Sequence, residues 1–409
     1  MNYLLRAMET TFTRLSAEFP TVLVTGPRQV GKTTMLKKLM REEHCEREYV
    51  TLDDLNDRGL AKSDPKLFFQ IHKPPILIDE VQYAPELFPY IKIHVDQNND
   101  PGDFWLTGSQ VFKLMRGVQE SLAGRVCLLS MSSMSQAEIY GYPTRPFQLD
   151  IGKLTARAKE VRAVDTPEIY RRIFSGGMPA LMSGQYSDRR AVYSSYIGTY
   201  IDRDVKEISG TIDSLKFMNF VTAAAALTGQ MVNVKTIADA AEIDQIKAKE
   251  WLSILETFGI IFYLHPYSNN VLKRTISKPK LYFSDTGLAA YLTKWSDSET
   301  LMSGAMNGAI LENFAVSEVM KSYLNCGVDP AIYYYRDKDT KEIDVILEGD
   351  GKLYPIEIKK TATPASQLTR VFKVIEKSTL IRGTGAVLCT TNKLSAFDSD
   401  NLIVPVWLV

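Results

Sequence analysis

The chain has 409 residues, too many for one hydrophobic core and enough for roughly two to four domains. Its 48 basic and 48 acidic residues leave a formal net charge of +0, so no global positive field gathers nucleic acid, although a local basic patch is still allowed. The four cysteines are scattered with no CxxC pair, and no apolar run is long enough to cross a membrane; this excludes a disulfide framework, a zinc site and a membrane partner, and fits a cytoplasmic protein.

The first residues, MNYLLRAMETTF, lack a signal-peptide core and read as a helix with Leu4, Leu5, Met8 and Phe12 as its apolar positions. Thr21 to Lys38, TVLVTGPRQVGKTTMLKK, is a GxxxxGKT loop between a strand-like and a helix-like run, the context a P-loop requires. Gly26 and Gly31 allow the backbone to turn its N–H groups onto phosphate, and the helix that follows points its positive end at the same anion. Gly26, Pro27, Arg28, Gln29, Val30, Gly31, Lys32, Thr33 and Thr34 are therefore the expected ATP-binding loop. Lys32 is expected on the β- and γ-phosphates and Thr33 on Mg²⁺.

Glu48 to Leu52 reads as a second strand. Pro75 to Glu80 reads as a third, three apolar residues delivering Asp79 and Glu80 at the C-terminal end of a buried parallel strand. Asp79 is expected to hold the Mg²⁺ shell and Glu80 to polarise the attacking water. Phe104 to Thr107 is a fourth strand; the stretch resembles the additional-strand class of P-loop ATPases, which implies a place between the first and third. Thr107, Ser109 and Gln110 at its end are candidates for sensing the γ-phosphate, and the sequence does not choose among them. Arg125, before the apolar strand Val126 to Leu129, is an arginine finger, a sensor in its own chain or an ordinary surface arginine.

GPRQVGKTT, ILIDEVQ, LTGSQ and SLAGR, in this order, resemble the AAA-type ATPases of bacteria and archaea that carry a C-terminal domain of unknown function. The resemblance continues through Phe174 to Pro179 (FSGGMP), Tyr200 to Val205 (YIDRDV) and Lys278 to Leu288 (KPKLYFSDTGL), and so covers nearly the whole chain. It implies an ATPase but says little about biological role.

In the middle, Tyr170 to Lys206 reads as helical, broken at Gly176-Gly177. The charges of Ile201 to Asp204 suit a structural salt bridge better than a nucleotide contact. Phe217 to Leu227 reads as a buried helix. A capped helix over Asn233 to Ala241 and a second over Gln245 to Phe258, with Ile246, Trp251, Leu252, Leu255 and Phe258 on one face, precede two strands, Ile260 to Leu264 and Lys280 to Phe283. Helix, turn, helix and wing make a winged helix. Lys247 and Lys249 on its second helix, and Lys273, Arg274 and Lys278 in its wing, are candidates for DNA phosphates, diluted by Glu242, Asp244, Glu250 and Glu256. The alternative is a module for packing or partner binding.

The last part reads as a helix from Ala305 to Leu324, strands at Ala331 to Tyr335, Lys341 to Leu347 and Leu353 to Lys360, a helix from Ala365 to Lys377, and strands at Ala386 to Thr390 and Leu402 to Val409. This order resembles the restriction-endonuclease core. Glu357 and Lys359 share one strand face, and a hairpin brings Asp344 beside them. Asp344 and Glu357 are expected to bind Mg²⁺, Lys359 to orient or deprotonate water, and Glu312 to complete the shell from its helix. Ile343 stands where such nucleases often have proline.

The expected fold class is thus α/β in three domains: a P-loop ATPase with a parallel sheet (1–145), a helical and winged-helix domain (146–298), and a restriction-endonuclease-like domain (299–409). The expected function is Mg²⁺-dependent ATP hydrolysis coupled to DNA binding and cleavage, in a homo-oligomer. The alternative is an ATP-gated regulatory or scaffold protein without nuclease activity.

Overall fold

The computed structural model describes residues 3–43, 46–109, 122–201, 210, 213–270, 274 and 277–409. Its first unit opens with helix α1 (Met8–Ser16), strand β1 (Thr21–Thr25) and helix α2 (Lys32–Glu42). Strands β2 (Glu48–Thr51) and β3 (Ile76–Asp79), helix α3 (Phe88–Asn98), and strands β4 (Phe104–Gly108) and β5 (Val126–Ser130) follow. The five strands are parallel, in the order β2-β3-β4-β1-β5, so the fourth strand does lie between the first and third.

Strand alternation divides the core between the two sheet faces. Val22, Val24, Leu77 and Trp105 pack against Phe12 of α1 and Met35 and Leu36 of α2. Leu23, Ile76, Ile78, Phe104 and Leu106 pack against Phe88 and Ile91 of α3. Each such fully buried side chain contributes about 1.5–3 kcal/mol. Helix α4 (Gln136–Tyr140) follows, its N-terminus closed by the Ser135–Glu138 capping box.

The middle contains α5 (Thr166–Ser175), two short helices (Pro179–Met182 and Arg189–Ser195), α6 (Ser214–Ala226), α7 (Val234–Ala241) and α8 (Gln245–Thr257). Beside them β6 (Gln230–Met231), β7 (Ile261–Leu264) and β8 (Lys280–Phe283) form a small antiparallel sheet in the order β6-β8-β7. Helix α8 buries Ala248, Trp251, Leu252, Ile254 and Leu255. Ile246, expected on that face, is instead 82% exposed. It lies two residues before Ala248, about 200° around the helix.

The connection from β7 to β8 is not a free wing. Tyr267 N–H donates to Tyr334 O at 2.6 Å, and Tyr334 N–H donates to His265 O at 3.0 Å, which zips the connection onto the last sheet. Arg274, expected on phosphate, instead pairs with Glu348 at 3.2 Å and lies over the Tyr267 and Tyr333 rings.

Helix α9 (Asn307–Leu324) leads into β9 (Ile332–Arg336), β10 (Glu342–Gly349) and β11 (Lys352–Lys359). A 3₁₀ segment (Ser366–Lys377) follows, then β12 (Ile381–Arg382), β13 (Gly385–Cys389), β14 (Ser395–Asp398) and β15 (Asn401–Pro405). The mixed sheet runs β14-β15-β13-β11-β10-β9, with β12 beside β11. The last strand stops at Pro405 rather than Val409, where proline has no N–H to continue the ladder and a 3₁₀ turn (Val406–Leu408) begins. One apolar core joins middle and end: Phe220 and Trp251 belong to the same cluster as Phe314, Ile356 and Leu388.

Candidate functional site

The P-loop forms where β1 meets α2. Gly26 has φ +134°, and a Cβ there would lie 2.0 Å from Met131 O, so only glycine lets the loop descend onto the chain after β5. Gly31 is the N-cap of α2, so the helix's positive end faces into the loop. Lys32 is 5% exposed, and its ammonium donates to Gly26 O at 2.8 Å and Pro27 O at 2.7 Å. Burial draws its pKa down to about 8, against the opposing pull of Glu80 and Asp79. It is a buried cation held by carbonyl dipoles, and a phosphate would supply the missing counter-charge.

The acid pair stands opposite. Asp79 Oδ1 accepts from Thr33 Oγ1 at 2.8 Å and from Thr107 Oγ1, and its Oδ2 accepts from Tyr49 OH at 3.2 Å. Burial and the neighbouring Asp79 push the Tyr49 phenol up to about 12. A hydroxyl and a carboxylate touching in this way are the oxygen donors that Mg²⁺ prefers, so Thr33 and Asp79 fit the ion. Glu80 has φ +57°, and its N–H donates to Thr107 Oγ1 at 3.2 Å. Its Oε2 accepts from Ser109 Oγ at 3.0 Å and from Gln82 Nε2. Two of the three sensor candidates, Thr107 and Ser109, therefore hold the acid pair. Gln110 lies outside the described residues, as do Asp202, Arg203, Asp204 and Lys273.

Arg125 does not face the P-loop of its own chain. β5 runs parallel to β1 with Val126 beside Thr21, so Arg125 sits at the far end of the sheet from Thr25 and Ser130. About 13 Å of strand separates the two ends. Its guanidinium pairs with Asp96 of α3, Nη2 to Oδ2 at 3.1 Å. The expectation of a sensor in its own chain is corrected by that register.

Sequence reading missed the brace behind the loop. Arg6, 5% exposed, donates to Val30 O of the P-loop, to Ser132 O at 2.9 Å and to Glu138 Oε1 at 2.8 Å. Beside it, Met134 N–H donates to Gly177 O at 2.8 Å. A Cβ on Gly177 would lie 2.3 Å from Met134 O, which explains a glycine in FSGGMP at this seam. Asp285 of the KPKLYFSDTGL run accepts from Gly177 N–H at 2.7 Å. Pro27 touches Gly259, where a Cβ would lie 3.0 Å from its Cδ, so the middle unit packs directly on the P-loop.

The second constellation lies in the last sheet. β10 and β11 pair with Val345 opposite Ile356, which places Asp344 opposite Glu357. Lys359 Nζ lies 2.7 Å from Glu357 Oε1 and 3.4 Å from Asp344 Oδ2, and Ile358 N–H donates to the same Oδ2 at 2.8 Å. The three residues expected to converge do so. Glu357 Oε2 is buried with no hydrogen-bond partner, an orphan acceptor that fits a bound cation.

Glu312 reaches the cluster but does not complete a free metal shell. Its Oε1 accepts from Lys280 Nζ at 2.9 Å and Tyr282 OH at 2.7 Å. Lys280 also lies 2.7 Å from Glu342 Oε1 and 3.8 Å from Asp344 Oδ1. Among the described residues, no three His, Cys, Asp or Glu side chains are arranged around one metal position. Burial, then the Asp344 charge, pushes Glu312 and Glu357 each up to about 7. Burial pulls Lys280 down, but the carboxylates of Glu312, Asp344 and Glu342 outweigh it and hold the ammonium above the usual lysine range. Lys280, Tyr282 and Glu342 were missed, although a lysine opening the apolar strand KLYF was the available signal.

A cleft of about 650 Å³ lies elsewhere, lined in part by Tyr140, Tyr142, Arg162, Glu168, Arg171 and Arg172. No P-loop or acid-cluster residue lines it, and Arg171 and Arg172 are already paired with Glu168.

A P-loop, an acid pair ending the third strand and a strand inserted between the two define an AAA-type P-loop ATPase. The AAA domain family matches residues 18–140, one domain of unknown function (DUF8612) matches 166–299 and another (DUF4143) matches 307–409. The chain is 30% identical over 347 residues to the uncharacterized proteins Rv2008c of Mycobacterium tuberculosis and Mb2031c of Mycobacterium bovis, across 85% of this chain and 71% of each relative. It belongs to the family of these proteins, and it is an ATPase.

Among solved structures, the Walker-type ATPase PABY2304 of Pyrococcus abyssi is similar at 15% identity and a TM-score of 0.43, over 70% of this chain and 94% of that one. The RuvB Holliday junction branch migration motor of Thermotoga maritima is similar at 15% identity and a TM-score of 0.31, over 62% and 88%. Likenesses this distant say nothing about activity.

Proposed function

We propose that this chain is a cytoplasmic, Mg²⁺-dependent ATPase of three domains (1–145, 146–298 and 299–409) whose nucleotide state controls DNA binding and cleavage. In this reading α7, α8 and the strands β7 and β8 form a winged helix, and the last domain is a restriction-endonuclease-like unit. The observation that carries the cleavage reading is Asp344 facing Glu357 across β10 and β11, with Lys359 beside both and one Glu357 oxygen left unpartnered.

In the ATPase unit, Lys32 exchanges its two carbonyl partners for phosphate oxygens and draws the γ-phosphate into the loop. Thr33 and Asp79 hold Mg²⁺, which when bound neutralises charge on the β- and γ-phosphates. Glu80, steadied by Ser109 and Gln82, orients the attacking water and takes its proton. Arg125, half-exposed at the far end of the sheet, acts in this reading on a neighbouring subunit of a homo-oligomer. In the last domain Asp344 and Glu357 hold a divalent ion and Lys359 serves the water.

A second reading, an ATP-gated regulator or scaffold without nuclease activity, is favoured by two observations. Lys280 stands among the acids, and Arg274 of the β7–β8 connection is committed to Glu348. A cleavage assay with Mg²⁺ or Mn²⁺ on linear, branched and single-stranded DNA, with and without ATP, separates the two. Metal-dependent cutting that Asp344→Asn removes supports the nuclease. Absence of cutting under every condition supports the regulator.

A further inference from the structure

The acid cluster of the last sheet has an occupant that comes from another part of the chain. Lys280 opens β8, and its side chain is 3% exposed. Its ammonium meets Glu312 of α9 at 2.9 Å and Glu342 and Asp344 of β10 at 2.7 and 3.8 Å. Carboxylates from two elements surround Nζ, Glu312 and Glu342 in contact and Asp344 standing off at 3.8 Å, so with the ammonium in place they form no metal shell. Tyr282, two residues along the same face of β8, donates to the Glu312 oxygen that Lys280 holds, fixing the cage from the side. Asn313 of α9 clamps β8 from the next position, giving Nδ2–H to Phe283 O at 2.7 Å and taking Phe283 N–H at 2.8 Å. The ammonium is therefore built in rather than swung in from solvent.

The other half of the cluster is different. Asp344 turns Oδ1 to Lys280 and Oδ2 to Lys359 and the Ile358 N–H. Glu357, 8% exposed, gives Oε1 to Lys359 and leaves Oε2 without a partner. Among the described residues, Lys280 and Lys359 are the lysines facing the carboxylates of Glu312, Glu342, Asp344 and Glu357, and Arg336 holds the second Glu342 oxygen at 3.0 Å. The unpartnered carboxylate oxygen thus lies at Glu357, away from Lys280.

We propose that Lys280 is the resident cation of this cluster: a tethered ammonium that fills one of two cation positions and leaves only the Asp344–Glu357 side open to a divalent ion. The Glu357 half rests on the reading of the last domain as a metal site, whereas the Lys280 half stands on the cage alone. Removing the ammonium leaves Glu312, Glu342 and Asp344 facing one another around the vacated position, an arrangement that a divalent ion relieves.

The test is Mn²⁺ binding to the full chain by calorimetry and electron paramagnetic resonance, with Lys280→Met compared against the parent. Both chains carry Asp79→Asn so that the ATPase unit contributes no ion. Methionine keeps most of the apolar stem and removes the charge. The inference predicts that Lys280→Met binds one more Mn²⁺ than the parent, and that adding Glu342→Gln removes the extra ion. A parent that binds none while Lys280→Met binds one leaves the inference standing and sinks the Glu357 metal site. Equal Mn²⁺ stoichiometry in folded parent and variant overturns the inference. If Lys280→Met is unfolded without metal, refolding it in Mn²⁺ decides. Recovery of the parent's circular dichroism supports the resident-cation role, and failure to recover contradicts it.

Discussion

Lys32 and Lys280 are both buried, at 5% and 2% exposure, yet they stand in opposite electrostatic conditions. Among the described residues Lys32 donates to two carbonyl oxygens, and burial draws it down to about 8 against the pull of Glu80 and Asp79. Lys280 touches carboxylates, which hold it above the usual range despite burial. The first is a cation waiting for an anion and so marks a binding site. The second has already found its anions and so closes one. Burial of a charge alone does not reveal function; the deciding fact is whether its counter-charge is already in the chain.

The largest effect expected from this contrast is at the acid cluster. Asp344→Asn should abolish the proposed DNA cleavage while leaving ATP turnover within about twofold, because the two sites share no side chain; parallel cleavage and phosphate-release assays check it. Loss of both activities together would break the comparison. At the open site, Lys32→Ala should weaken ATP binding about 100-fold, the scale of losing charge-assisted contacts to phosphate, with Mn²⁺ binding at the acid cluster unchanged. Titration with a fluorescent nucleotide measures the first and calorimetry the second.

The seam between the two sites gives a smaller effect. Gly177→Ala places a Cβ 2.3 Å from Met134 O, a backbone atom that cannot step aside as a flexible side chain can. A loss of about 1–3 kcal/mol in denaturant unfolding is expected. An unchanged midpoint would show that this contact is not held in solution. The smallest effect belongs to Arg125→Ala. Its surface pair with Asp96 is exposed, so the melting temperature should not move, and turnover at high dilution should match wild type. If Arg125 serves a neighbouring subunit, wild-type turnover per chain rises with protein concentration and the variant's does not.

The ATPase site was legible because its chemistry is contiguous. Gly26 to Thr33 form one loop, and Asp79 and Glu80 end one strand, so spacing along the chain is spacing in space. The hairpin pair Asp344 and Glu357, with Lys359, was legible for a related reason: strand alternation and a short turn fix which side chains meet. Lys280 was not legible, because its 32-residue separation from Glu312 is bridged only by tertiary packing of β8 on α9. The same blindness hid Arg6, which reaches Glu138 across 132 residues. Ile246 misleads because its apolar side chain suggests core, whereas helix phase turns it outward. The β7–β8 connection misled because Arg274 was visible while its acidic partner, Glu348, lies in another sheet.

The central claim is that this chain hydrolyses ATP with Glu80 as the base beside a P-loop that binds independently of it. The most direct measurement is ATP affinity and steady-state turnover for wild type and Glu80→Gln, side by side. The account predicts affinity within about twofold and turnover reduced about 100-fold or more, since glutamine keeps the shape and loses the proton acceptor. Equal turnover in the two proteins would contradict it.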